Sequence, residues 1–257
     1  MADSPSAHLS HSDVHDVQER ARRALDLVVA CLAIIVLSPV MLLIAFAICL
    51  ESGAPVLFYQ VRLGQHGRPF HIYKFRKFRR DCGTDGSPLT FDGDSRMTVV
   101  GLFLRATKLD ELPQFWNVLR GDMSVIGPRP ESLAFADCFT GGYERVLDHR
   151  PGILGPSQVT FRNESALYAG EADPDKLYRA VIFPTKARID LDYYSKRTLF
   201  SDVLWIFRGI LAIAGWNPSR ASRPTADGGE ERANGMAGSL KMAELGRRPA
   251  STEGKHA

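Results

Sequence analysis

Cysteine is scarce in this chain, and each one stands alone. Four are spread over 257 residues. Cys31 and Cys49 lie in an apolar run and Cys82 and Cys138 are isolated, so neither a disulfide framework nor a paired zinc-ligand spacing is available. That usage suits a reduced protein facing the cytoplasm. A strong charge of either sign is missing too, since 32 Lys and Arg stand against 29 Asp and Glu. No nucleic-acid recognition motif accompanies them, so no nucleic acid is expected as a partner. No internal repeat is present. A secretory signal peptide is excluded, because the apolar run is too long for a signal core and no small-residue cleavage site follows it. Acidic residues are wholly absent between Arg62 and Arg80, where Arg62, Arg68, Lys74, Arg76, Lys77, Arg79 and Arg80 are bunched.

What the chain does have is a nearly unbroken apolar run, Leu27 to Leu50, with Ser38-Pro39 near its middle. About 20 apolar residues suffice to cross a bilayer. Both flanks are basic, with Arg20, Arg22 and Arg23 before the run and the cationic stretch after it. Basic flanks prefer the cytoplasmic side, and one straight spanning helix cannot place both ends there. A re-entrant helix that breaks at Ser38-Pro39 and turns back satisfies both. Proline supplies the bend, and the Ser38 hydroxyl can bond a carbonyl freed by it. A single-pass anchor with a mild proline kink is the alternative. The bunched cations suit anionic lipid headgroups or phosphate-bearing substrates.

Residues 1–16 read as a flexible leader. They include His8, His11 and His15, whose polar surroundings favour disorder over metal binding. Residues 17–55 form the membrane element, opened by an amphipathic stretch from Val17 to Asp26. Residues 56–216 form one small catalytic domain, and 217–257, rich in Pro, Gly, Ser and charge, a disordered tail. Within the domain, Val56–Tyr59 and Phe70–Phe75 read as strands around a turn-rich segment. Asp81 to Ser95 reads as a polar loop. Helical patterns cover Val99–Arg105, Glu111–Arg120 with Gly121 as a stop, and Pro174–Arg197. Leu199–Trp216 suits an amphipathic helix in the membrane interface, with Trp205 and Trp216 at headgroup level; a core helix is the equal alternative. The expected class is α+β, mostly α.

Three clusters could carry chemistry. In Thr107-Lys108-Leu109-Asp110-Glu111-Leu112-Pro113-Gln114, Pro113 belongs in a first helical turn, which puts Asp110 and Glu111 at a helix start. Leu112, Phe115, Trp116 and Leu119 would then form the apolar face. Paired carboxylates there invite a hard divalent ion such as magnesium that also holds phosphate oxygens. Taken alone, the spacing reads more simply as a capping Asp followed by a surface Glu. Gly127-Pro128-Arg129-Pro130 mounts one guanidinium between two prolines, suited to bidentate phosphate binding. In Tyr73-Lys74-Phe75-Arg76, period two puts Lys74 and Arg76 on one face, and Arg105 adds a cation before the acidic pair.

The order of these strings, followed by Asn117-Val118-Leu119-Arg120-Gly121-Asp122-Met123-Ser124, then Glu131, then Arg150-Pro151-Gly152-Ile153, resembles the bacterial sugar transferase family, the monotopic polyprenyl-phosphate phosphoglycosyl transferases. The resemblance spans about residues 20–215. It implies transfer of a phosphosugar from a UDP-sugar to polyprenyl (undecaprenyl) phosphate with release of UMP, the first step of a surface glycan such as an exopolysaccharide, capsule or O-antigen. It further implies a bacterial inner-membrane location with the catalytic domain on the cytoplasmic face, and magnesium as cofactor. By analogy Asp110 is the nucleophile that forms a covalent phosphosugar intermediate. Glu111 matches the second carboxylate, associated with magnesium. Pro128, Arg129 and Pro130 match the nucleotide-sugar loop. Lys74, Arg105 and Asp190 match polar residues lining the active site, Arg76 completes the substrate-binding set, and Ser38-Pro39 matches the hairpin break. The chain resembles the family's minimal form.

Departures occur where the family has Thr-Met and this chain has Lys77-Phe78, and at Leu154-Gly155-Pro156-Ser157 through Asn163. They leave the sugar open more than the reaction type. A homodimer is left open as well. Two other readings remain: a non-catalytic membrane scaffold for polysaccharide assembly, and a single-pass enzyme whose catalytic domain lies outside the cell.

Overall fold

The computed structural model describes residues 11–82, 94–162, 164–168 and 170–213. The longest element, α1 (His11–Ser52), has 42 residues and a length of about 63 Å at 1.5 Å per residue. Among the described residues it is the one helix long and apolar enough to cross a membrane. His11 to Asp16 belong to it, which corrects the leader expectation for those residues: the polar start continues into the amphipathic turn from Val17 without a helix breaker. Residues 1–10 and the expected tail beyond 216 lie outside the described residues.

The chain stays helical through Pro39, so Ser38-Pro39 does not interrupt α1 as a break would. Pro39 lacks the N–H that would bond the carbonyl of Ile35, and the Ser38 hydroxyl donates to that same carbonyl at 2.9 Å. Around this point Leu32, Ile35, Val36, Leu42 and Leu43 are exposed. Both ends of α1, in contrast, are built into the domain. Ala30 is buried with Ile72, Val118, Met123, Val125 and Ile126, and Ile44 and Ile48 with Phe75 and Leu104. The buried Asp26 carboxylate accepts from the Ser124 hydroxyl at 3.0 Å and the Val125 N–H at 2.8 Å.

After α1 comes an antiparallel hairpin of β1 (Leu57–Leu63) and β2 (Pro69–Phe75), paired from Leu57↔Phe75 to Leu63↔Pro69. The other edge of β2 is held by a side chain. The buried Asn117 carboxamide accepts from the Tyr73 N–H at 3.1 Å and donates to the His71 carbonyl at 2.7 Å. Asn117 sits on α3 (Gln114–Arg120), which follows α2 (Val99–Thr107) and a 3-10 turn at Leu109–Glu111. Gly121 ends α3 with φ +91°, the left-handed stop expected of glycine. Its last carbonyls also receive the Arg23 guanidinium, at 2.7 Å from Val118 and 3.0 Å from Leu119.

Two short parallel strands, β3 (Ser124–Ile126) and β4 (Gly152–Leu154), pair at Ser124↔Gly152 and Ile126↔Leu154. Three residues each is too short to leave an alternation signal, and neither was expected. α4 (Pro156–Thr160) follows. The helical pattern from Pro174 is realised as α5 (Pro174–Leu177), a π turn at Tyr178–Ile182 and α6 (Phe183–Ser195). These pack a core of Phe135, Val146, Tyr168, Tyr178, Ile182, Phe183 and Ala187.

The last helix, α7 (Leu199–Ile213), packs one face against the domain and leaves apolar side chains exposed on the other. Inward, buried Asp202 binds Arg197 Nε at 2.8 Å and the Tyr193 hydroxyl at 2.7 Å, and Trp205 packs against the core. Outward, Phe200 and Phe207 are exposed. Trp216 lies outside the described residues.

Candidate active site

Lys108 is one of two non-glycine residues at positive φ among those described, at +63°. It ends α2 and turns the chain abruptly into the Leu109–Glu111 turn. Such backbone strain costs of order 1 kcal/mol and concentrates at functional sites. Asp110 and Glu111 therefore lie in a separate 3-10 turn and not in the first turn of α3, which begins at Gln114. Pro113 lies just outside α3 and not inside it. Of the expected apolar face, Leu112, Phe115 and Leu119 pack against the core, while Trp116 is 55 % exposed. The buried positions are Gln114, Asn117 and Val118, because Asn117 must reach β2.

The two carboxylates face different cations. Glu111 Oε1 is 3.0 Å from Lys74 Nζ and 4.0 Å from Arg129 Nη1. Asp110 Oδ2 is 2.8 Å from Lys77 Nζ, but the angles do not make a hydrogen bond, and neither Asp110 oxygen has a hydrogen-bond partner. Burial works against the charge of Glu111, yet Lys74, Arg129 and Lys108 hold its carboxyl far below the usual range. Burial also lowers Lys74, to about 8, against the opposing pull of Glu111. Arg129 is desolvated too, but Glu111, Glu164 and Glu131 keep it firmly charged.

Arg129 is placed by backbone stitching. The Gly127 N–H donates to the Leu154 carbonyl at 2.9 Å, and the Gly152 N–H to the Pro128 carbonyl at 2.8 Å. A Cβ on Gly127 would run into the backbone of Arg150 to Gly152, so only glycine allows this approach. Behind Arg129 lies a buried polar network. Lys186 Nζ is 3.0 Å from Glu164 and 3.4 Å from both Glu131 and the Tyr178 hydroxyl.

Lys74, Glu111, Arg129 and Pro130 line one narrow cavity, together with Arg62, Gln114 and Gln158. Three of its side chains carry a buried polar atom with no partner: Arg62 Nε, Gln114 Nε2 and Gln158 Oε1. Buried polar atoms are rarely left so; the cavity, about 10 Å³, has room for a single water.

Not every predicted site residue is there. Asp110 is 1 % exposed and does not line this cavity. Arg76 is buried and donates to the Ser52 carbonyl at 3.1 Å, the Ser52 hydroxyl at 2.7 Å and the Gly53 carbonyl at 2.6 Å. It caps the end of α1 and is removed from the substrate-binding set, since β2 has ended and the face it shared with Lys74 no longer exists. Arg105, in the last turn of α2, does not line the cavity. Asp190 lies deeper, accepting from the Ser157 hydroxyl at 2.8 Å and the Ser157 N–H at 3.2 Å. Burial pushes its carboxyl up to about 7. Pro128 contributes its carbonyl to the loop. Arg62, Lys77, Gln114 and Gln158 were not singled out from the sequence. Arg62 and Lys77 lay in the acid-free basic stretch and Gln114 closed the Asp-Glu string, which were the available signals. Gln158 had none.

A strained turn holds two carboxylates among cations, beside a long apolar helix built into the domain. The chain belongs to the bacterial sugar transferase family, whose family model matches residues 17–215. It is 41 % identical over 197 residues to a UDP-N-acetylgalactosamine-undecaprenyl-phosphate N-acetylgalactosaminephosphotransferase of Aeromonas hydrophila, covering 75 % of this chain and 43 % of that protein. A UDP-glucose:undecaprenyl-phosphate glucose-1-phosphate transferase of Escherichia coli (strain K12) is 34 % identical over 82 % of this chain and 45 % of its own length. A protein of the same description from Caulobacter vibrioides is 38 % identical, over 75 % of this chain and 69 % of its own length. The chain thus spans less than half the length of the first two relatives.

Proposed function

We propose that this chain transfers a sugar phosphate from a UDP-sugar to polyprenyl phosphate at the cytoplasmic face of the bacterial inner membrane, releasing UMP, and so begins a surface glycan. The observation that carries this reading is the charge set around Asp110 and Glu111. Lys74, Lys77, Lys108 and Arg129 act on these two carboxylates. Four cations against two anions leave a surplus of two positive charges, the charge that a pyrophosphate diester neutralises. Fixed cations in a desolvated site stabilise phosphoryl transfer.

Asp110 is the nucleophile. Its oxygen forms a bond to the phosphorus nearer the sugar as the bond from that phosphorus to the bridging oxygen breaks. The electron pair leaves on UMP, and no proton moves. The phosphate of the lipid then attacks the aspartyl phosphosugar and restores Asp110. Glu111, held ionised by Lys74, serves the acceptor step. Gln114, Gln158 and Arg62 offer the donor their unpartnered atoms.

Asp110 and Glu111 are the residues that would hold a magnesium ion, and the Asp110 carboxylate has no hydrogen-bond partner. No cluster of three carboxylate, His or Cys ligands occurs among the described residues, so such an ion would draw its other ligands from water and phosphate oxygens. When bound, it would supply neutralising charge to those phosphates.

The membrane geometry supports a lipid acceptor. Both ends of α1 pack into one domain while the stretch around Pro39 is exposed, as in a helix that dips into the bilayer and returns. Near its C-terminal end, exposed Arg79 and Arg80 line a second cavity with Glu51, Thr98 and Leu102, beside exposed Val99 and Phe103 on α2. A lipid phosphate arriving there meets cations next to apolar side chains.

Incubation with radiolabelled UDP-N-acetylgalactosamine, UDP-glucose and other common UDP-sugars tests the reading. Label should remain on the denatured protein with one of them and vanish in Asp110→Asn, with turnover falling by at least about three orders of magnitude. No retained label from any donor would favour a non-catalytic scaffold. Retained activity in Asp110→Asn would remove Asp110 as nucleophile.

A further inference from the structure

Lys77 stands where a buried nucleophile would be guarded. Its ammonium lies 2.8 Å from Asp110 Oδ2, and its side chain is 18 % exposed against 1 % for Asp110. Glu111 pairs with Lys74 and Arg129, so each carboxylate has a lysine in contact with it. Lys77 is also fixed at its root. Its carbonyl accepts from the Thr98 N–H at 3.0 Å, and a Cβ on Gly101 would collide with it. The backbone is clamped against α2, while the four-carbon stem above remains free to swing.

We propose that Lys77 is a positioning residue that masks Asp110 in the donor-free enzyme and moves its ammonium to the donor's phosphate when the donor binds. Binding of the donor would then itself free the attacking oxygen. An oxygen in contact with an ammonium has its electron density directed at that cation and not at an approaching phosphorus. A pyrophosphate diester brings two negative charges to a cation now holding one, so the exchange favours the donor. The mask also accounts for an aspartate that is out of the cavity and yet has no hydrogen bond to hold it there. The inference rests on Asp110 being the nucleophile.

The test uses the full chain in nanodiscs, with Lys77→Met, Lys77→Gln and Lys77→Arg. Initial rates against UDP-sugar concentration should show donor KM raised about tenfold in the Met and Gln variants, the value of one charge-assisted contact of about 1.4 kcal/mol. Their kcat should fall as well, because Lys77 is one of the cations around the transferring phosphate, and Lys77→Arg should restore most of the KM. In the absence of donor, coupling of a labelled amine by a water-soluble carbodiimide, mapped by peptide mass spectrometry, should rise at least about fivefold at Asp110 in the Met and Gln variants. A merely structural lysine would not raise Asp110 labelling in the donor-free protein. Wild-type KM and wild-type labelling in both neutral variants would overturn the masking role. If the wild-type chain never retains phosphosugar on Asp110, the functional reading itself fails; if it does and the neutral variants behave as wild type, only the role of Lys77 fails.

Discussion

Asp190→Asn should make the protein more stable at neutral and alkaline pH and remove part of its pH dependence. Asp190 is 3 % exposed, and burial lifts its carboxyl from 3.8 to about 7. An acid whose pKa is raised by folding binds more protons in the native state, so its contribution is intact below the unfolded value and is lost as pH climbs through the folded one. About three units at 1.36 kcal/mol each set an upper limit of roughly 4 kcal/mol lost between pH 4 and pH 7. Asparagine imitates the protonated form. It still accepts the Ser157 N–H, and its amide donates to the Ser157 hydroxyl, which turns to accept. Glu111 and Glu131, both held low, act with opposite sign only below their ordinary range. His149, lowered by burial, destabilises as pH falls below about 6.5 in both proteins and cancels in the difference. The assay is the melting temperature of wild type and variant in the same nanodiscs from pH 4.5 to 8.5. The variant's advantage should grow with pH and level off above about 7, reaching several degrees. A constant difference across that range would refute the reasoning.

Asp202→Ala should destabilise by about 3–5 kcal/mol, since it strands Arg197 and the Tyr193 hydroxyl around a buried site; denaturant unfolding measures it. Gly101→Ala should cost about 1–3 kcal/mol by overpacking against the Lys77 carbonyl, and should also raise donor KM by shifting that lysine. Gln114→Ala and Gln158→Ala should each raise donor KM about three- to tenfold, and Gln158→Ala should also cost about 1 kcal/mol of stability, since its Nε2 donates to the Gly152 carbonyl at 2.9 Å. A loss of stability with an unchanged donor KM would show that these amides serve the fold.

Much of the architecture could be read from residues alone where one physical demand dominates. The apolar run with basic flanks reads as a membrane element, and Ser38 before Pro39 as a hydroxyl for a carbonyl that the proline leaves free. The Asp-Glu pair and the arginine between prolines were visible as strings. What escaped notice was depth. Period two put Lys74 and Arg76 on one face, but the end of β2 sends Arg76 to the tail of α1. Trp116 looked like core, yet the buried position beside it is Asn117, a polar residue recruited to bind a strand edge. Lys77, Arg62 and Gln158 act on Asp110, Glu131 and Gly152, 33, 69 and 6 residues away, which no local pattern announces. β3 and β4 are three residues each and are legible only once paired.

Asp26, Ala30, Ile44 and Ile48 have a practical consequence for anyone wishing to obtain this enzyme without lipid. A shortened chain starting at Gly53 would lose one wall from two cores and leave the Val125 amide and Ser124 hydroxyl facing a hole. The anchor is masonry and not a tether, so shaving it off should yield insoluble material where a removable leash would have left a working soluble catalyst.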